Sequence, residues 1–122
     1  MEVKEYSFEI DLEPQELKVI ETHPTKLLDS IPQSELDKLN WFIFDVLGDK
    51  DGSPEIGNIE ISNFKINPDH LSGSFRLKFQ IDRKFCCSDM ESCSNDYIDF
   101  QFIMKGSKLF ATGKYFDWTL NN

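Results

Sequence analysis

From Leu71 to Asp82 the chain reads LSGSFRLKFQID. Leu71, Gly73, Phe75, Leu77, Phe79 and Ile81 alternate without error against Ser72, Ser74, Arg76, Lys78, Gln80 and Asp82. Successive side chains of a strand point to opposite faces, so this period of two predicts a half-buried strand. The pattern recurs on both sides of it. Ile56, Ile59, Ile61, Phe64 and Ile66 predict a strand broken near Asn63, and Ile98, Phe100, Phe102 and Met104 form another apolar face. KGSK is a tight turn, and LFATGKYFDW closes the meander, with Phe110, Phe116 and Trp118 on one parity. The connections between these later strands are too short for crossovers, so the order is antiparallel.

The front of the chain begins with a strand too. Tyr6, Phe8, Ile10 and Leu12 alternate with Ser7, Glu9 and Asp11. Pro14 suits the first turn of a short helix running to about Thr22, with Leu17 and Ile20 inward, and His23-Pro24 ends it. In SIPQSELDKLNWFIFDVLG, the serines, the proline and Gly48 bracket Leu36, Leu39, Ile43 and Val46 or Leu47 at helical spacing. These signals predict a helix over 33–47, with a short helix followed by a strand as the alternative, because WFIFDVL favours strands. GDKDGSPEIGN reads as a loop. The expected fold is α+β: an antiparallel meander of four to five strands with one or two N-terminal helices on one face, in a single domain spanning 1–122. Eight of the eleven phenylalanines fall at or after Phe64, in strand patterns that assign them to the core.

Charge is distributed unevenly. Residues 1–61 carry 15 acids and 5 bases, a net of −10, whereas residues 62–122 carry 7 acids and 8 bases. A field of that sign repels nucleic-acid phosphates and anionic lipid and attracts basic surfaces. The expectation is therefore a basic protein partner, with no nucleic acid and no membrane. The start, MEVKEYSFEIDLE, lacks the apolar run of a secretory signal, which places the chain in the cytoplasm unless a leader has been removed. Three cysteines, an odd count, fit the same compartment as reduced thiols.

CCSDMESCSND, residues 86–96, concentrates thiols and carboxylates between two strand patterns, where it reads as a long polar hairpin loop. Structural zinc usually takes four ligands, commonly two cysteine pairs separated by two to four residues. Here Cys86 and Cys87 are adjacent, Cys93 stands alone, and a fourth ligand would come from His70, His23 or a carboxylate. Adjacent extended residues also point apart. A metal-binding function through Cys86, Cys87 and Cys93 remains the third reading, behind the hairpin loop, and no cofactor is expected. Asp89, Glu91 and Asp96 do not follow the calcium-loop pattern. His23 and His70 have no nucleophile in a known setting beside them, and GxSxG, HExxH and a phosphate loop are missing, so no enzyme is expected. The basic stripe of Arg76, Lys78, Arg83 and Lys84 is explained by cross-strand pairing with Asp99 or Glu60.

The acids of the helical and loop portion suggest a recognition face: Glu13, Glu16, Glu21, Asp29, Glu35, Asp37, Asp45, Asp49, Asp51 and Glu55. Trp41, with Phe42 or Phe44, is a candidate anchor, because aromatic residues dominate interface energetics. In size, acidity and α+β pattern the chain resembles toxin-neutralising immunity proteins, a resemblance of type that no motif carries. It implies an inhibitor that covers the active surface of a basic toxin, such as a nuclease. The second reading is a small-ligand domain with an apolar pocket between sheet and helices.

Overall fold

The computed structural model describes residues 3–48, 50–69, 71–84 and 91–115. Five strands and three helices follow in the order β1 (Lys4–Asp11), α1 (Glu16–Thr22), α2 (Thr25–Asp29), α3 (Gln33–Val46), β2 (Glu55–Ile66), β3 (Ser72–Lys84), β4 (Glu91–Lys105) and β5 (Lys108–Tyr115). All strands pair antiparallel in one sheet ordered β1-β5-β4-β3-β2. The meander of β2 to β5 is the expected one. The first strand joins it beside the last, so β1 and β2 form opposite edges and the helices link them.

One face of the sheet is apolar and the other wet, as the alternation requires. Phe75, Leu77, Phe79 and Ile81 of β3, Ile98, Phe100, Phe102 and Met104 of β4, Leu109, Ala111 and Tyr115 of β5, and Phe8 and Ile10 of β1 are all buried. They join Leu17 and Ile20 of α1, Leu27 of α2, and Leu39 and Ile43 of α3 in one core cluster. Aromatic rings organise its centre. Phe64 stacks on Phe102 at 5.2 Å, Phe75 on Phe100 at 5.2 Å, and Phe8 meets Phe100 edge-on at 5.4 Å. Offset and edge-on geometries of this kind stabilise beyond the burial of area.

α1 runs to Thr22 with Leu17 and Ile20 buried, as the spacing predicts. Pro24 then does more than end it. With φ −56° it is already helical, and it opens α2, a single turn whose Leu27 is fully buried. The sheet is therefore accompanied by three helices where one or two were expected. The 33–47 segment is helical from Gln33 to Val46. The β-favouring side chains of WFIFDVL are accommodated because Ile43 faces the core while Phe42 lies against Tyr6 at 5.0 Å.

Several expected boundaries shift. β2 begins at Glu55, inside the segment read as a loop, and runs unbroken through Asn63. Two bulges make this possible. Asn58 and Ile59 face Phe79 alone, and Asn63 and Phe64 face Phe75 alone, with Asn58 at φ +48° and Asn63 at φ +53°. Each extra residue flips the alternation, so Ile56, Ile61 and Ile66 face the same side at a spacing of five. The hairpin read as 86–96 is also shorter. β3 and β4 stay paired to Lys84 and Glu91, which places Cys93 and Asp96 inside β4. In β5 the inward parity is that of Leu109, Ala111 and Tyr115, so Phe110 lies on the outer face, opposite Ile103 of β4. Phe116 and Trp118 lie outside the described residues.

Candidate functional site

Along its length α3 turns an apolar side down and a polar side out. Leu39 and Ile43 are buried, which leaves Asp37, Trp41 and Asp45, four residues apart, on one outward stripe. Trp41 is 65 % exposed, a large apolar surface for a solvent-facing position. Its ring meets Phe44 edge-on at 5.9 Å, which limits the directions it can take. Lys50 closes the end of the helix. Its Nζ donates to the Leu47 carbonyl at 2.6 Å and lies 5.4 Å from the Phe44 ring centre. Asp37 accepts a hydrogen bond from Gln33 Nε2 at 2.9 Å, one turn earlier.

The other acids are deployed differently. Glu35 is partly buried and turned toward β1, where the Tyr6 hydroxyl contacts its carboxylate and its carbonyl oxygen at 3.2 Å each. Lys38 stands 3.7 Å from the same carboxylate. Burial first, and then the Glu35 charge and hydrogen bond, push the Tyr6 hydroxyl pKa well above its ordinary value. Glu35 thus ties α3 to β1. Glu13, Glu16 and Glu21 are exposed on and before α1, Asp29 at the end of α2, and Asp51 in the turn before β2. Arg83 Nη1 donates to the Asp51 carbonyl at 2.8 Å. Asp49 lies outside the described residues.

Asp37 and Glu55, far apart in sequence, line one surface groove of about 440 Å³ between α3 and β2. Leu28, Leu36 and Ile56 supply its apolar wall. Asn40 holds its floor by accepting the Ile56 backbone N–H at 2.9 Å. This groove opens to solvent along the seam between helix and sheet. The interior beneath it is filled by side chains at most 8 % exposed.

On the outer face Arg76 and Lys78 of the basic stripe face acids across the sheet. Arg76 donates to both Asp99 carboxylate oxygens, Nε at 2.8 Å and Nη2 at 3.2 Å, and its guanidinium lies 3.9 Å from the centre of the Tyr97 ring. The hydrogen bond to Asp99 is the main cause holding the Arg76 pKa above its ordinary value. Lys78 faces Glu60 across the β2–β3 ladder. An open groove of about 680 Å³ lies beside them, lined by Asn58, Gln80, Asn95 and Tyr97 among others. Reading the segments one at a time missed both grooves, because each forms from residues that only strand register and helix placement bring together.

Cys93 is exposed on β4, and Gln80 Nε2 donates to its Sγ. Cys86 and Cys87 lie outside the described residues, as does His70. Among the described residues no three histidine, cysteine or carboxylate side chains come together to hold a metal ion. No helix among them is long and apolar enough to cross a membrane. These features define a class by architecture, an acidic α+β protein with an aromatic residue displayed on a helix. No family model, curated protein or solved structure matches the chain.

Proposed function

We propose that this chain is a protein-binding inhibitor of the bacterial immunity type, which neutralises a basic toxin by laying the outer stripe of α3 over its active surface. The observation that carries this reading is Trp41, 65 % exposed and set between Asp37 and Asp45 at helical spacing. An exposed indole is a costly surface residue unless it has a use, and tryptophan is the residue most enriched where binding energy concentrates. The flanking carboxylates match lysines and arginines of the kind that hold phosphates in a nuclease site. The net charge of −9 adds a long-range field that speeds encounter with a cationic partner. Glu16, Glu21, Asp29, Asp51 and Glu55, all exposed, extend that field beyond the stripe.

The test is association with candidate cationic toxin domains, measured in low and high salt. The expected result is tight binding whose on-rate falls as salt rises, and whose affinity drops by about 2 kcal/mol or more in Trp41→Ala. Charge reversal at Asp37 and Asp45 should slow association. Binding that ignores salt and all three substitutions would refute the α3 reading, and no binding to any such domain would refute the function.

A further inference from the structure

The two edges of the sheet are not equivalent. β2 is interrupted by two bulges with left-handed asparagines, which spoil the regular row of donors and acceptors that another strand needs. β1 has no such interruption. Its residues Lys4 to Asp11 pair with β5 in one unbroken register, and among the described residues no strand lies on its other side.

The register also says which backbone groups face that open side. In an antiparallel ladder, hydrogen-bonded pairs alternate with non-bonded ones. The Leu12 N–H donates to the Ser107 carbonyl at 3.0 Å, continuing the register that sets Asp11 opposite Lys108. The bonded positions toward β5 are therefore Leu12, Ile10, Phe8 and Tyr6. The backbone groups of Glu5, Ser7, Glu9 and Asp11 point away, toward the edge. Their side chains share the outer face, and all four are exposed. Asp11 meets Lys108 at 3.3 Å and Glu5 sits opposite Lys114, whereas Glu9 sits opposite the ring of Phe110.

We infer that the β1 edge is a docking site for a strand of the partner that carries lysine or arginine at every second position and apolar residues between. The inference rests on the cationic-partner reading above and names where that partner's chain enters. Backbone pairing to Glu5, Ser7, Glu9 and Asp11 supplies the attachment. A basic side chain directly opposite Glu5 or Glu9 gains a favourable cross-strand pair, and the alternate residues fall beside Tyr6, Phe8 and Ile10 on the apolar face. A second copy of this chain is a poor occupant. Antiparallel pairing over the whole of Glu5–Asp11 would set Glu5 opposite Asp11, and like charges directly opposite destabilise.

The test is backbone amide hydrogen exchange on the full chain with a short synthetic peptide alternating arginine and valine. Exchange at the Ser7 and Glu9 amides should slow by about tenfold or more at saturation. Glutamate–valine peptide, and arginine–valine peptide N-methylated on alternate amides, should give no protection. Glu9→Lys, at a position that faces the Phe110 ring and not a charge on β5, should weaken binding about fivefold with an unchanged melting temperature, since one attractive pair becomes repulsive. Absence of binding, binding without protection at Ser7 and Glu9, or equal binding of the N-methylated peptide would overturn the inference. Trp41→Ala should leave the protection intact. A Trp41-dependent toxin complex without edge protection would sink the edge alone, and edge protection without toxin binding would sink the toxin reading alone.

Discussion

Tyr115, buried near the end of β5, donates its hydroxyl to the Asp96 carboxylate of β4 at 2.7 Å. Both side chains lie on the inner face, and Phe79, directly across the ladder from Asp96, meets the Tyr115 ring edge-on at 5.8 Å. A partly buried carboxylate is tolerable here because a buried hydroxyl satisfies it. Tyr115→Phe keeps the ring and removes the donor. It should cost about 1.5–3 kcal/mol in urea denaturation, the range for a hydrogen bond to a charged group. An unchanged midpoint would mean that water replaces the hydroxyl freely.

Two glycines mark where the sheet leaves no room. A methyl group at Gly73 would collide with the Lys65 carbonyl and lie 2.7 Å from Phe102. At Gly113 it would lie 2.6 Å from Ile98 Cγ2 and 3.0 Å from the Asp99 carbonyl. Gly73→Ala and Gly113→Ala should each destabilise by about 2–3 kcal/mol through overpacking. At Gly106, in the β4–β5 turn with φ +62°, there is open space, so alanine there strains only the backbone.

Phe100 is fully buried and touches the rings of Phe75, Phe8 and Tyr6. Phe100→Ala should lower stability by about 3–5 kcal/mol, by lost transfer energy plus the cavity left behind. Trp41→Ala should change stability by no more than about 0.5 kcal/mol, since that ring faces water. Chemical denaturation of the two variants side by side separates core from display.

The Tyr6 hydroxyl titrates above its ordinary value of 10.0 in the folded chain. The unfolded chain therefore loses this proton first, and stability falls as pH rises above about 10, where the folded state still holds it. The Tyr6 contribution is fully present below that pH. Tyr6→Phe should show a shallower alkaline decline than the parent in melting curves across that range. Equal slopes would mean that the Tyr6–Glu35 contact does not persist in solution.

The bulges of β2 show how far the sequence could be read. The loss of alternation near Asn63 was legible, because Ile61 and Phe64 fall out of phase, and it suggested a break. Whether a strand breaks or bulges depends on a neighbour, and β3 supplies one continuous enough to hold β2 through both faults. The cysteine segment behaves alike. Its composition reads as loop, yet pairing with Asp82 and Phe79 draws Cys93 and Asp96 into β4. For the candidate site, the spacing of Asp37, Trp41 and Asp45 was visible in the chain. The buried side of α3 was legible too, in Leu39 and Ile43, but the disposition of the aromatic residues at 41, 42 and 44 was not, since they are equally apolar and only the placement of the sheet chooses among them.

Local chemistry determined the elements: apolar side chains at period two must share a face, and proline and glycine limit where backbones can turn. The α+β class, the inward residues of the central strands and the concentration of acid in the front half all follow from that. Tertiary structure alone decided that β1 lies beside β5, that Glu35 turns to Tyr6, and that Asp37 and Glu55 line one groove. Those contacts join residues distant in the chain, and their geometry depends on how the whole core packs rather than on any segment's own preference.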